Sequence, residues 1–129
     1  MNCLVTGGAG FIGSNLVDFL VREGHRVSVL DDLSSGYRDN LLQGGLFEKI
    51  RFLQGDVRDE DLLREATRDQ EAVFHLAASV GNKRSIEHPL VDADINVMGT
   101  LKVLEAARHA GCRKVVFSSS AGIFGELKT

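Results

Sequence analysis

Residues 4–31 read LVTGGAGFIGSNLVDFLVREGHRVSVLD, and their pattern sets the fold class. Leu4-Val5 and Val27-Ser28-Val29-Leu30 are short apolar runs, each followed by turn-forming or acidic residues, as buried strands are. Between them Ile12, Leu16, Phe19 and Leu20 recur at helical spacing, and Gly24 supplies a stop. The joint between first strand and helix, Thr6–Gly13, carries two overlapping glycine patterns. Gly8, Gly10 and Gly13 satisfy G-x-G-x-x-G, and Gly7, Gly10 and Gly13 satisfy G-x-x-G-x-x-G. Without Cβ atoms, such a loop lets the backbone approach a pyrophosphate, and the helix behind it offers free N–H groups and a positive dipole end. Gly13 would let that helix pack closely on the sheet. An acid stands where a dinucleotide site needs one: Asp31 lies 21 residues beyond Gly10 at the end of the second strand. A carboxylate there accepts hydrogen bonds from the adenosine ribose hydroxyls and repels a 2′-phosphate, which favours NAD over NADP. Asp32 is adjacent and competes for the role.

The same alternation continues outward. Ile50–Leu53, Ala72–Leu76 and Val115–Phe117 read as further strands. Asp59, with Glu60 and Asp61 behind it, looks like an acidic helix start leading into Leu62, Leu63 and Ala66. The longest helix is expected from about Leu90 to Ala110, with Ile95, Met98, Leu101 and Leu104 marking its apolar side and Gly111 ending it. The stretch 32–45 is the most loop-like. Strands alternating with helices imply parallel pairing, because parallel neighbours need crossover connections. The expected architecture is an α/β, doubly wound parallel sheet of Rossmann type, with five strands ordered 3-2-1-4-5. Its ligand crevice belongs at the carboxyl ends of strands one and four.

Composition narrows the classes of partner. Net charge is −3 with basic residues scattered, so neither nucleic acid nor an anionic membrane is favoured, and an anionic ligand needs a local device. No apolar stretch approaches the roughly 20 residues that span a bilayer, and residues 1–6 show no basic leader segment. Cys3 and Cys112 are too few for a disulfide framework and lack metal-ligand spacing, so reduced thiols in a cytoplasmic protein are expected and no metal site is.

Several segments in order carry a resemblance: TGGAGFIGS at 6–14, DDLSSG at 31–36, GDVRD at 55–59, HLAA at 75–78, INVMGT at 95–100 and FSSSAGIFG at 117–125. Over essentially its whole length the chain resembles the extended short-chain dehydrogenase/reductase family. Within it, the resemblance is to NAD-dependent sugar-nucleotide epimerases and dehydratases, nearest the 4-epimerases of UDP-glucose and UDP-galactose. The resemblance implies NAD as cofactor, held by Gly7, Gly10, Phe11, Ile12, Gly13 and Asp31. It implies that Asp56 and Val57 meet the adenine, Asp56 through its carboxylate to the exocyclic amine, and that Leu76, Ala77 and Ala78 line the cofactor. Asn96 matches the asparagine that supports the active site from the long helix. A capping role for Asp56 and a satisfied core amide for Asn96 are the competing structural readings. A free imidazole titrates near neutral pH, which makes His75 a candidate for catalysis, yet in the family pattern it only ends a strand. Asn82-Lys83-Arg84-Ser85 reads as a loop whose cations either face solvent or meet a substrate phosphate.

Ser118-Ser119-Ser120 follows the fifth strand, and alignment of the SSSA segment makes Ser120 the catalytic serine of the resemblance, hydrogen-bonding the substrate oxygen. In that family a Tyr-x-x-x-Lys pair moves the proton, the lysine lowering the phenol pKa. The only tyrosine here is Tyr37, and the residue four later is Leu41. Phe124 replaces the usual tyrosine of a VYG-like segment. The expectation is therefore an incomplete NAD-binding Rossmann domain over 1–129, ending before the Tyr-Lys segment and the substrate domain and inactive alone. Dehydratases of the family carry Thr-Asp-Glu where this chain has Ser120-Ala121-Gly122, so the acid and base for elimination are missing. Epimerisation at C4 through a 4-keto intermediate fits better, and a decarboxylase or reductase stays open. The expected partner is a nucleotide sugar, with a homodimer through the long helix. The alternative from another class is a non-catalytic dinucleotide-binding module or redox sensor.

Overall fold

The structure, a computed structural model, describes residues 1–80, 82–120 and 125. Five strands, β1 (Asn2–Thr6), β2 (Arg26–Asp31), β3 (Arg51–Gln54), β4 (Ala72–His75) and β5 (Lys114–Phe117), pair in parallel in the order β3-β2-β1-β4-β5. The expected class and strand order are both met. Successive side chains of a strand face opposite ways, and both faces are covered. On one side Cys3, Val5, Val27 and Val29 pack with Val17 and Leu20 of α1 (Phe11–Arg22) and with Leu41 and Leu46. On the other, Leu4, Leu30, Leu53 and Val73 pack with Leu63 and Ala66 of α3 (Glu60–Thr67) and with Val103 and Ala107 of the long helix. Burial on both faces is why these strands read as continuous apolar runs rather than alternating ones.

Local signals explain where the helices begin and end. Asp59 caps α3, its side chain accepting from the Leu62 amide at 3.1 Å. The expected helix from Leu90 to Ala110 is built in three consecutive pieces. After α4 (Asn82–Glu87) come α5 (Pro89–Ala93), a π turn (Asp94–Met98) and α6 (Gly99–Ala110), ended by Gly111 at φ 75°. Residues 82–85, expected as a loop, are helical, and Lys83 lies 3.9 Å from Glu87 one turn on. From the end of the expected loop onward, a short helix, α2 (Asp39–Leu42), and 3-10 turns over Gln43–Lys49, broken at Gly44 and Gly45, form because Leu41 and Leu46 have core to fill.

The buried faces of two helices differ from the sequence expectation. In α1 the sheet side is Gly13, Ser14, Val17 and Leu20, whereas Ile12 is 67% and Phe19 53% exposed. In α6 the buried residues are Gly99, Val103 and Ala107, whereas Met98, Leu101 and Leu104 are 45%, 49% and 43% exposed. Of the residues expected inward in α1, Leu20 is buried and Leu16 packs against the core; in both helices small residues also face the sheet, which an apolar count by size does not register. Among the described residues, no helix is long and apolar enough to cross a membrane.

Candidate functional site

The register of the sheet brings four residues level at its carboxyl edge: Leu30, Thr6, His75 and Phe117, each paired with its neighbour across the strands. From that edge the chain leaves β1 toward α1 on one face and leaves β4 toward α4 on the other. The split opens a cavity of about 520 Å3, within the range of small-molecule sites.

Its floor is the loop joining β1 to α1. Gly7 has φ 72°, and a Cβ there would come within 2.7 Å of the Ala77 amide nitrogen. A Cβ on Gly13 would run into the Gly7 carbonyl and stand 2.8 Å from the Gly8 Cα. Both positions therefore require glycine, one for conformation and the other for contact. Gly10, the residue before α1, supplies no side-chain cap, and the first turn holds no acid. The leading amides of a helix have no intrahelical acceptor, so this end is free to bind an anion.

Asp31 closes one wall. It is 8% exposed, its Oδ2 accepting from the Ala9 amide at 2.9 Å and its Oδ1 from the Leu33 amide at 2.8 Å. The acid at the end of β2 thus holds the glycine loop in place and fixes its own orientation. Asp32 is turned to Ser34, accepting from its amide at 2.9 Å and its hydroxyl at 2.7 Å, which settles which of the two neighbours faces the loop. Segment 34–37 is strapped over Ala9, whose carbonyl accepts from the Tyr37 amide at 3.0 Å and from Asn40 Nδ2 at 2.8 Å.

The segment after β3 continues this wall, the Gly55 amide donating to the Asp31 carbonyl at 3.1 Å. Asp56 accepts from the Arg58 amide at 2.8 Å and from the Arg58 guanidinium at 2.7–3.1 Å. Those guanidinium hydrogen bonds hold its carboxyl below the usual aspartate range despite partial burial. Arg58 in turn pairs with Asp94 at 2.8 Å, and its carbonyl accepts from Lys102 Nζ at 3.0 Å. The wall is thereby tied to the long helix.

Behind the cavity runs a chain of side-chain hydrogen bonds. Thr6 Oγ1 accepts from the Leu76 and Ala77 amides at 3.1 and 3.2 Å and lies 2.7 Å from His75 Nδ1. His75 Nε2 lies 3.1 Å from Thr100 Oγ1, which donates to the Asn96 carbonyl at 2.6 Å. The Asn96 side chain clasps Ser79, Oδ1 accepting from its amide at 2.7 Å and Nδ2 donating to its carbonyl at 3.1 Å. Burial pushes the imidazole of His75 down to about 4. It is therefore neutral near pH 7 and buried between strands, without the access to solvent or cavity that a proton-transfer group needs.

Of the residues singled out from sequence, Gly7, Gly10, Phe11, Ile12, Gly13, Asp31, Asp56, Val57, Leu76, Ala77 and Ala78 all line the cavity. Asn96 stands outside the lining and reaches it through Ser79. Ser120 is exposed beyond β5 and also lies outside the lining, whereas Ser118 lies within it. Phe124 lies outside the described residues. Sequence reasoning missed Thr6, Thr100, Asn40 and the packing role of Gly36, where a Cβ would stand 2.9 Å from the Ala9 backbone. Thr6 opens the segment TGG and Thr100 closes MGT, and a hydroxyl next to a turn or helix joint was the available signal. Arg84 also borders the cavity, as the cation reading of 82–85 allowed.

The chain matches the family model described as NAD dependent epimerase/dehydratase family over residues 3–129. It is 51% identical over 123 residues to a UDP-glucose 4-epimerase of Mycolicibacterium smegmatis, covering 95% of this chain and 39% of that relative. Among solved structures it is similar to the UDP-glucose 4-epimerase of Thermus thermophilus in complex with NAD. There the TM-score is 0.88 at 42% identity, over 99% of this chain and 40% of the other. It is also similar to the UDP-glucose-4-epimerase from Stenotrophomonas maltophila with bound NAD and formylated UDP-arabinopyranose, with a TM-score of 0.91 at 34% identity, over 100% and 40% of the two chains. The chain thus spans about two-fifths of the length of these relatives.

Proposed function

The chain belongs to the NAD dependent epimerase/dehydratase family, and from that premise we propose that it forms the NAD-binding part of a sugar-nucleotide 4-epimerase. The observation that carries this is the glycine cradle between β1 and α1, with Asp31 hydrogen-bonded into it at Ala9. NAD fits there: a cradle that a Cβ would fill, an uncapped helix start and an acid at the end of β2 match pyrophosphate and ribose in turn.

When bound, NAD takes up and returns a hydride. The residues of this chain bind and orient. The amides opening α1 face the pyrophosphate, while Phe11 and Ile12, exposed at the same end, cover it. Each Asp31 oxygen has capacity left after its one backbone bond, and these remaining lone pairs accept the ribose hydroxyls. A 2′-phosphate at that place would meet the same carboxylate and be repelled. Asp56 and Val57 receive the adenine, with Arg58 fixing the carboxylate that accepts from its amine. Leu76, Ala77 and Ala78 form the apolar wall toward the nicotinamide ribose, held by Asn96 through Ser79. Ser120 takes the role of hydrogen-bonding the sugar oxygen, and the nucleotide sugar of the UDP-glucose type is the partner.

General acid–base work needs a titratable group at that oxygen. Tyr37, the only tyrosine of the 129 residues, sits exposed in the strap over Ala9. The polypeptide of these 129 residues is therefore expected to bind cofactor without epimerising UDP-galactose. A second reading, a non-catalytic dinucleotide module, would use the same glycine loop and Asp31. Ser120→Ala separates the two in a chain extended beyond residue 129: turnover is abolished only in an enzyme, and NADH binding is kept in both. Two unpaired thiols, Cys3 and Cys112, suit a reducing, cytoplasmic setting.

The direct test is a fluorescence titration with NADH and NADPH. Much tighter binding of NADH is expected, and equal affinities would remove Asp31 from its role.

A further inference from the structure

His75 has an assignable protonation pattern. A threonine hydroxyl has two lone pairs and one proton. Thr6 Oγ1 accepts from the Ala77 amide and shares the Leu76 amide with the Thr6 carbonyl, which lies 3.1 Å from the same nitrogen, leaving its proton for His75 Nδ1, 2.7 Å away. Nδ1 then acts as the acceptor. At the other end Thr100 donates to the Asn96 carbonyl, which can only accept. Its oxygen is left to receive a proton from His75 Nε2 at 3.1 Å. The Thr100 end requires a neutral ring protonated on Nε2, and the Thr6 end accommodates the same tautomer. Burial, which disfavours the charged form, acts in the same direction.

The connected groups belong to three segments bordering the cavity. Thr6 opens the phosphate loop, the Leu76 and Ala77 amides start the segment after β4, and Thr100 and Asn96 belong to the long helix that clasps Ser79. Clearances here are small, since a Cβ on Gly7 would stand 2.7 Å from the Ala77 nitrogen.

We propose that His75 is a positioning residue of the dinucleotide site: as the Nε2–H tautomer it links Thr6 to Thr100 and sets the 76–79 segment against the phosphate loop. The positioning role rests on the dinucleotide reading given above, whereas the tautomer stands on the hydrogen bonds alone. His75 touches neither cofactor nor substrate and acts through its two threonines. The two arms are separable by chemistry. His75→Asn keeps an acceptor near the Nδ1 position, His75→Gln places a donor near the Nε2 position, and Thr100→Val removes the second acceptor while keeping the shape.

The test uses the full 129-residue chain with 15N-labelled histidine, first without cofactor. One His75 nitrogen is expected in the unprotonated range and the other, coupled to the Nε2 proton, in the protonated range, with no averaging near neutral pH. A protonated Nδ1, or rapid exchange between tautomers, would overturn the proposal. In backbone amide spectra, Thr100→Val is expected to move Leu76, Ala77 and Ser79, and Thr100→Ser to return them. Loss of this half-buried acceptor should weaken NADH about tenfold in Thr100→Val, with Thr100→Ser close to the parent. Parent-like amide shifts and NADH affinity in Thr100→Val would reduce His75 to core filling and end the proposal. Failure of the parent chain to bind NADH would count against the dinucleotide reading instead, and the spectra would still decide His75.

Discussion

Single residues at this site serve two tasks at once, and their substitutions separate the tasks. Asp31 holds Ala9 and faces the cavity, so Asp31→Asn keeps an acceptor for one amide but removes the charge. We expect the preference for NADH over NADPH to fall by at least about tenfold, the scale of one charge-assisted hydrogen bond, measured by titration of both. Gly13→Ala presses a methyl into the Gly7 carbonyl, so NADH binding should be lost with a fall in unfolding midpoint, read by fluorescence and thermal melts. His75 links stability to pH. Its folded pKa of about 4 lies below the ordinary value of 6.5, so between these values the unfolded chain binds more protons. Stability from this group is full above about 6.5 and is lost as pH falls toward 4, by about 3 kcal/mol across that window. His75→Gln should flatten the slope of urea-derived stability against pH in that interval; an unchanged slope would show that other groups set it.

At the scale of elements, strands were legible and helix faces were not. A strand buried on both sides is apolar at nearly every position, so β1, β2 and β4 announce themselves whichever way they face. A helix has a direction to choose, and in α1 and α6 small residues chose it: Gly13 and Ser14 in one, Gly99 and Ala107 in the other. The size of the effect is testable on neighbouring positions of α6. Val103→Ala removes two methyl-sized groups from a fully buried site and should cost about 2 kcal/mol, while Leu101→Ala, half exposed, should stay within about 0.5 kcal/mol. Urea unfolding of both variants would show which stripe faces the sheet. The π turn at 94–98 reads in sequence as unbroken helix, yet it carries Ile95 to the cavity and Asn96 to Ser79; such turns gather at functional sites.

For the molecule as a whole, the stripe rejected by the sheet is the surface left open. Met98, Leu101 and Leu104 stay exposed along one side of the long helix. Met98 and Leu101 lie beside Leu63 and Arg64 of α3, the face that the expected homodimer through the long helix would cover. Sedimentation should show a dimer that Leu101→Glu returns to monomer; a parent chain that is monomeric at every concentration would rule this out. The sequence alone determined the alternation of strands and helices, hence the parallel sheet and its order. It also determined the glycine loop and the acid at the end of β2, because spacing along the chain dictates backbone geometry locally. Tertiary structure alone decided that Asp31 rather than Asp32 holds the loop, which faces of α1 and α6 are buried, and that His75 joins Thr6 to Thr100. Those contacts join residues 22, 69 and 25 positions apart. Their distances follow from the register of the sheet and the packing of helices upon it, which no local pattern encodes.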